Sequence, residues 1–205
     1  MYIEPPKIVK RLFPDLIWSF SQQEVDGKVF ITFDDGPTPE ITPWILDTLS
    51  KFDAKATFFC LGKNVEQYPE LFQMILEGGH AVGNHTYSHQ KGWEMRTGRY
   101  VEDVDLADNF IHSNLFRPPY GRIKPAQARR LSERYKLIMW DVLSRDYSQL
   151  VSPRSCLNNV VKHVKSGSIV LFHDSRKAYR NLSYTLPRTL EFLRSKGLES
   201  VKIEL

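Results

Sequence analysis

Short apolar runs rich in β-branched and aromatic residues alternate along the chain with segments of helical periodicity. Seven predicted strands cover 28–33, 55–61, 80–84, 114–117, 136–141, 168–172 and 200–204. Six predicted helices cover 39–52, 64–79, 97–113, 124–135, 152–167 and 184–197. This alternation is typical of α/β domains with parallel strands. The even spacing predicts a closed or nearly closed barrel of about seven parallel strands, and a doubly wound open sheet is the alternative.

Composition limits the class of protein. The chain has 205 residues, of which 41% are hydrophobic, and this predicts one domain over 1–205 with its motifs between 28 and 174. The net charge of +4 comes from basic residues that form no long run and do not alternate with aromatics. We therefore expect no nucleic-acid partner. No stretch approaches the ~20 apolar residues of a membrane span.

The N-terminal segment and the two cysteines bear on the cellular compartment of the protein. The first 20 residues contain no uninterrupted apolar stretch of signal-peptide length, so the chain as it stands is predicted to be cytoplasmic. A processed extracellular or cell-envelope protein would have the same appearance. Cys60 lies in the apolar run "TFFCLG" and is predicted to be a buried thiol, although one disulfide with Cys156 is possible. The sequence leaves the oligomeric state open.

The terminal segments contain no recognisable motif. This applies to residues 1–25 and 174–205. The basic and aromatic stretch 176–184 is predicted to be an ordinary loop, and a role as a wall of a substrate groove is the alternative.

Charged and imidazole side chains follow five of the predicted strands, at the point where each strand ends. They are Asp34, Asp35, His85, His89, Arg117, Asp141, Asp146 and His173. In parallel barrels the loops after the strands converge on one face, where active sites are built. Residues scattered over 140 positions are therefore expected to meet in one site.

The stretch "VFITFDDGP" at 29–37 places Asp34 and Asp35 side by side after a core strand. Two adjacent carboxylates repel each other and are costly to desolvate, so the pair forms either a solvated turn or part of a cation site. His85 and His89, four positions apart, favour the second interpretation, because two imidazoles and one carboxylate form the donor set of a catalytic zinc site. We predict one divalent metal, most simply zinc, with cobalt or nickel also compatible.

Five motifs in order resemble those of the polysaccharide deacetylase family, the NodB-homology domains of carbohydrate esterase family four. They are "TFDDGP" (32–37), "HTYSH" (85–89), "RPPYG" (117–121), "DVLSRDY" (141–147) and "LFH" (171–173). The resemblance implies a distorted (β/α) barrel. It also implies metal-dependent removal of N-acetyl groups from glycans that contain N-acetylglucosamine, such as peptidoglycan or chitin-like oligosaccharides.

The same resemblance implies roles for the first three motifs. Asp34 would be the general base, and Arg117 would orient it. Asp35, His85 and His89 would hold the metal. The strand-end pattern alone does not decide which aspartate has which role.

The resemblance also implies a general acid and a substrate pocket. Asp146 would keep the imidazole of His173 protonated, and the backbone N–H of Tyr120 would help stabilise the oxyanion. The remaining expected substrate contacts are Pro119, Tyr147 and Leu171, the last beside the acetyl methyl group. The family motif usually has Trp where this chain has Tyr147, which predicts an altered substrate fit. Asp141 is expected to hold its loop or to bind Arg117.

Two alternative functions remain open at the level of sequence. The first alternative is a deacylase of a small amide or of an O-acetyl ester. The second is a non-catalytic glycan-binding protein on the same barrel, because one fold hosts many functions.

Overall fold

The structure is a computed structural model and describes Ile3, Phe13 and residues 15–205. Its strands are β1 (Lys28–Asp34), β2 (Thr57–Cys60), β3 (Ala81–Asn84), β4 (Leu115–Phe116), β5 (Lys136–Leu137), β6 (Val142–Leu143), β7 (Ile169–His173) and β8 (Glu199–Ser200). Its helices are α1 (Ile41–Ser50), α2 (Gly62–Gln67), α3 (Pro69–Glu77), α4 (Thr97–Ile111), α5 (Pro125–Leu131), α6 (Pro153–Val161) and α7 (Tyr179–Ser195). Two 3₁₀ turns lie at Gly92–Glu94 and Pro119–Gly121.

The strands form one parallel sheet in the order β5-β4-β3-β2-β1-β7-β6, and β8 pairs with the first residues of β1. Every strand pairing is parallel. The sheet curls into an open, distorted barrel, which confirms the predicted fold class. The carboxyl ends of its strands therefore lie at one rim, where the motif residues follow them.

Strand β1 lies at the centre of the sheet and is buried on both faces. Val29, Ile31 and Phe33 pack in the main core with residues of α1 and α7, while Phe30 belongs to a second cluster with Phe59. Because side chains alternate along a strand, Thr32 and Asp34 share the face of Phe30. This face is apolar at the start of β1 and polar at its end, where the strand reaches the rim.

The predicted strand 136–141 is a strand only at its start, where Lys136–Leu137 forms β5, and β6 begins just beyond it at Val142. Its first part pairs with β4, and its last part leads into the pairing of β6 with β7. Between them, the carbonyls of Ile138 and Met139 accept hydrogen bonds from the side chain of Arg117. The residues of this segment are typical of a strand. Their carbonyls, however, bind the buried guanidinium of Arg117 and not a neighbouring strand.

The structure corrects one predicted helix and one predicted loop. The predicted helix 64–79 is two helices, α2 and α3, because Pro69 has no N–H and begins a new helix. Residues 179–184 belong to α7, so the prediction of a loop over 176–184 is wrong from Tyr179 onward. The reason is an apolar stripe, Leu182, Leu186 and Leu193, which packs into the main core.

Cys60 and Cys156 are both buried and unpaired, so the possible disulfide does not form. Burial raises the pKa of both thiols. Within the described residues, no helix combines the length and the apolar character needed to cross a membrane.

We expect Gly83→Ala to lower the free energy of unfolding by about 1–3 kcal/mol, the usual cost of overpacking a core. An added Cβ at Gly83 would lie 2.5 Å from ring atoms of Phe59, which is fully buried and packs against Arg117. Urea unfolding measures the effect. Gly98→Ala is the matched control, because nothing lies within 4 Å of the added Cβ. Removing a helical glycine there should raise stability by up to about 1 kcal/mol, and equal effects of the two variants would contradict the prediction.

Candidate active site

A cavity of about 470 Å³ lies at the carboxyl ends of the strands. Eight of the predicted site residues line it, namely Asp34, Asp35, His85, His89, Tyr120, Tyr147, Leu171 and His173. Arg117 and Asp146 are fully buried and contact residues of this lining. Pro119 is buried in its 3₁₀ turn and is not part of the lining.

Arg117 is the largest fully buried side chain among the described residues. Its Nη1 donates to Oδ1 of Asp34 at 2.7 Å and to Oγ1 of Thr32 at 2.8 Å. Nε and Nη2 donate to the carbonyls of Ile138 and Met139. Burial lowers the pKa of Arg117, although Asp34 acts in the opposite direction. The guanidinium fixes the carboxylate of Asp34 at the end of β1.

The backbone turns sharply immediately after Asp34, so that both aspartates reach one cavity. Asp35 has a φ of 82°, in the left-handed region, and Asn64 Nδ2 donates to its carbonyl at 2.7 Å. In a regular strand the two carboxylates would point to opposite faces. The turn removes this conflict.

The imidazole of His85 is held with one nitrogen toward the cavity. Its Nδ1 lies 2.7 Å from the carbonyl of Arg117. A carbonyl can only accept, so Nδ1 carries the proton and, in the neutral ring, Nε2 carries a lone pair. Burial lowers the pKa of His85 to about 4, despite the nearby Asp34, and the ring is therefore neutral near pH 7.

Asp35, His85 and His89 place three ligand atoms within 4.8 Å of one another. Oδ1 of Asp35 lies 3.2 Å from Nε2 of His89 and 3.8 Å from Nε2 of His85. This oxygen is buried and receives no hydrogen bond of normal geometry from the described residues. A carboxylate oxygen therefore faces the lone pair of His85, an arrangement that a cation between them would stabilise. The donor set fits a divalent metal.

The electrostatics of Asp35 agree with this arrangement. Burial alone would raise its pKa, but the contact with His89 and the charge of His173 outweigh burial and hold the pKa well below its usual range. The carboxyl group is therefore ionised, as a metal ligand must be.

His173, the last residue of β7, forms a buried pair with Asp146. Nδ1 of His173 lies 2.8 Å from Oδ1 of Asp146, and the backbone N–H of His173 donates to Oδ2 at 2.8 Å. Burial alone would lower the pKa of His173, but the charge and hydrogen bond of Asp146 raise it to about 9. The imidazole therefore carries two protons near pH 7 and keeps one of them at Nε2.

Aromatic and apolar groups form the walls of the cavity. The ring of Tyr147 meets the ring of His173 edge-on, with 4.8 Å between their centres. Tyr120 has a φ of 59°, and its ring centre lies 4.6 Å from that of His89. Arg122, Trp140, Leu143 and Lys177 also line the cavity and were not among the predicted site residues, although Lys177 lies in the stretch 176–184 for which a role as a groove wall was the alternative. Trp140 directly precedes the "DVLSRDY" motif and Leu143 lies within it. Their positions in the sequence could have indicated that they line the site.

Asp174 and Asp141 complete the surroundings of the site. Asp174 is fully buried, accepts a hydrogen bond from Thr42 at 2.5 Å and donates its backbone N–H to the carbonyl of Asp34. Burial raises its pKa to about 7. The motifs ended at His173 and missed it. Asp141 binds the backbone N–H of Ile169 at 2.7 Å, so it holds the start of β7.

We expect the protein to bind one equivalent of a divalent metal, tested with zinc, and His89→Ala to weaken this binding at least about tenfold because one of the three candidate ligands is lost. Isothermal titration of EDTA-treated protein measures both values. His163→Ala is the matched control, because His163 binds the carbonyl of Asn159 and does not line the cavity. Unchanged zinc affinity in His89→Ala would refute the assigned ligand set.

The raised pKa of His173 predicts a pH-dependent stability. The folded state holds the proton up to about pH 9, whereas the unfolded imidazole releases it near its ordinary pKa of 6.5. The contribution of the pair is therefore complete below pH 6.5 and is lost as the pH rises through 9. We expect metal-free protein to lose about 2 kcal/mol of unfolding free energy from this pair between pH 7.5 and 9.

Asp146→Asn removes the charge that raises this pKa and should flatten the slope in urea unfolding. His163→Gln, which removes an imidazole outside the site, should keep the slope of the original protein. A slope that Asp146→Asn leaves unchanged would assign the pH dependence to another group.

Comparisons with known proteins point to one family. The family model described as polysaccharide deacetylase matches residues 21–138. A peptidoglycan-N-acetylglucosamine deacetylase of Bacillus cereus is 34% identical over 183 residues, which cover 85% of each chain. A chitooligosaccharide deacetylase of Azorhizobium caulinodans is 33% identical over 160 residues, 72% of this chain and 74% of that one.

A solved structure extends the likeness to three dimensions. The crystal structure of a peptidoglycan N-acetylglucosamine deacetylase, in complex with 4-naphthalen-1-yl-N-oxidanyl-benzamide, superposes with a TM-score of 0.83. The two proteins are 30% identical, and the match covers 92% of this chain and 91% of that one. Together with the ordered motifs, these matches show that the chain belongs to the polysaccharide deacetylase family.

Proposed function

We propose that the protein is a metal-dependent hydrolase that removes N-acetyl groups from N-acetylglucosamine-containing glycans and releases acetate. One observation carries the proposal. A single cavity combines a donor set for a divalent cation, a carboxylate fixed by a buried arginine and a protonated imidazole. Amide hydrolysis needs an electrophilic centre, a base for the attacking water and an acid for the leaving amine.

Asp35, His85 and His89 would hold the metal. Zinc suits two imidazoles and one carboxylate, and cobalt or nickel would also fit. The bound cation would supply Lewis-acid chemistry, polarising the acetyl carbonyl and lowering the pKa of water.

Asp34 would act as the general base. Arg117 engages its Oδ1, while Oδ2 lies 3.7 Å from Nε2 of His85, on the side of the proposed metal ligands. The carboxylate is thus held beside the position where the attacking water would lose its proton. Arg117 would act as a positioning residue, since it touches Asp34 and not the substrate.

His173 would act as the general acid. Asp146 engages Nδ1, so the proton on Nε2 is the one available for the departing amine. A pKa of about 9 keeps this proton in place near neutral pH, and Asp146 offsets the positive charge until it is transferred.

The acetyl group would lie between the turn at Tyr120 and the strand β7. In the left-handed conformation of Tyr120, its backbone N–H would support the oxyanion, to which one donor typically contributes roughly 3 kcal/mol. Leu171 lines the same cavity and would contact the acetyl methyl group, and Tyr147 would contact the sugar. Pro119 would act indirectly, by fixing the turn.

The related proteins support a glycan as the substrate. Their names describe deacetylases of peptidoglycan and of chitooligosaccharides, and both polymers contain N-acetylglucosamine. Deacylation of a small amide or ester would use the same groups, so acetate release must be compared between glycans and small acetyl compounds.

We expect Asp34→Asn to lower kcat for acetate release by about 10²–10⁴-fold, because an amide cannot accept the proton. Zinc binding should remain near one equivalent, since Asp34 is not a proposed ligand. Acetate is measured from chitooligosaccharides and from peptidoglycan fragments, with EDTA-treated and zinc-restored protein.

Asp141→Asn is the matched control, because it removes a carboxylate that binds the start of β7 outside the cavity. Full activity of Asp34→Asn would refute the assignment of the base. Tight glycan binding by the zinc-loaded original protein without acetate release would favour the non-catalytic alternative.

A further inference from the structure

We propose that Trp93 and Arg122 form an outer subsite that binds the sugar next to the one being deacetylated, and that this sugar carries a carboxylate. The inference rests on the proposed function and names the class of glycan it acts on. It begins from an exposed aromatic residue, since the indole of Trp93 is 58% exposed. Large exposed aromatic side chains fixed at the border of a cavity are typical of binding surfaces.

The indole of Trp93 is fixed in place, although it faces solvent. Its Nε1 donates to the carbonyl of Ile123 at 3.1 Å. Its 3₁₀ turn is held by the fully buried Gln127, whose Nε2 donates to the carbonyl of Gly92 at 2.9 Å. An added Cβ on Gly92 would lie 2.5 Å from the carbonyl oxygen of Arg122, so the two loops are in close contact. A rigid aromatic surface binds a ligand with little loss of conformational entropy.

The surface is continuous with the catalytic cavity. The guanidinium carbon of Arg122 lies 5.4 Å from the ring centre of Trp93, and Arg122 also lines the cavity. On the same two loops, Nζ of Lys91 lies 5.7 Å from the ring centre of Tyr120, which lines the cavity as well. A glycan whose acetyl group enters the cavity would therefore pass over Tyr120 and Arg122 toward Trp93.

The charge at the edge of the cavity favours an anionic ligand. Arg122 and Lys177 line it, whereas the acidic residues of the lining are Asp34 and Asp35, which are engaged by Arg117 and by the imidazoles. The planar guanidinium of Arg122 matches a carboxylate in a bidentate geometry. An uncharged chitin oligomer offers no partner for it. Peptidoglycan strands without stem peptides do, because each muramic acid unit beside an N-acetylglucosamine then carries a free lactyl carboxylate.

The test compares three substrates. They are a peptidoglycan tetrasaccharide with free lactyl carboxylates, the same tetrasaccharide with these groups reduced to alcohols, and 4-nitrophenyl acetate as a sugar-free reference. The quantity compared is kcat/KM for each glycan divided by kcat/KM for the ester, with zinc-loaded protein. We expect the original protein to prefer the acidic glycan about tenfold, mainly through KM.

Two variants separate stacking from charge recognition. Trp93→Ala should lower the ratio about tenfold for both glycans, and Trp93→Phe should recover most of it because a ring remains. Arg122→Gln should abolish the preference for the acidic glycan and leave the ratio for the reduced glycan near its original value. Added salt should weaken the preference in the original protein and have no such effect in Arg122→Gln.

The matched controls are Tyr184→Ala and Arg188→Gln, which remove a similar arginine–aromatic pair on α7 outside the cavity. Thermal unfolding checks that each variant is folded. Equal ratios in the original protein, Trp93→Ala, Trp93→Phe and Arg122→Gln would overturn the inference while the proposed function stands. Absence of acetate release from both glycans by the original protein would instead contradict the proposed function.

Discussion

The buried guanidinium of Arg117 is the interaction on which the site depends. It bonds to Thr32 and Asp34 of β1 and to the carbonyls of Ile138 and Met139 in the segment that joins the two edges of the sheet. Burying this cation is costly unless its donors are satisfied and its charge is paired. The fold meets both conditions, and in doing so it connects the centre of the sheet to its opening and orients the carboxylate at the rim.

The other buried charges of the site follow the same rule. Asp146 is paired with His173, and both oxygens of its carboxylate are hydrogen bonded. Asp35 differs, because its Oδ1 faces imidazole nitrogens without a normal hydrogen bond. The position where ordinary pairing fails coincides with the position where the three metal-type ligand atoms meet. Oδ1 of Asp174 also lacks a partner, but Asp174 does not line the cavity, whereas Oδ1 of Asp35 faces two imidazole nitrogens.

Much of the architecture follows from the sequence, because strand and helix periodicity are local. The end of β5 at Leu137 does not, since Arg117, some 20 positions earlier, binds the carbonyls of Ile138 and Met139 that would otherwise continue the predicted strand. Asp174 was missed for a similar reason. Its partners Thr42 and Asp34 lie more than 130 residues away, and only the fold brings them together. The Gly-Pro after Asp35 is typical of a turn that ends a strand, but it does not indicate that Asp35 itself is left-handed.

The structure gives Arg117 two connections to the site that use different parts of the residue. The side chain orients Asp34, whereas the main-chain carbonyl fixes the tautomer of His85. Any residue that keeps the local backbone would supply the carbonyl that binds His85. Only a guanidinium, with its several N–H donors, supplies the side-chain contacts that orient Asp34. In the proposed mechanism, metal affinity and placement of the base are therefore separable traits. A chain without this arginine would still present Nε2 of His85 to a metal, while Asp34 would lose the orientation that the proposed chemistry needs.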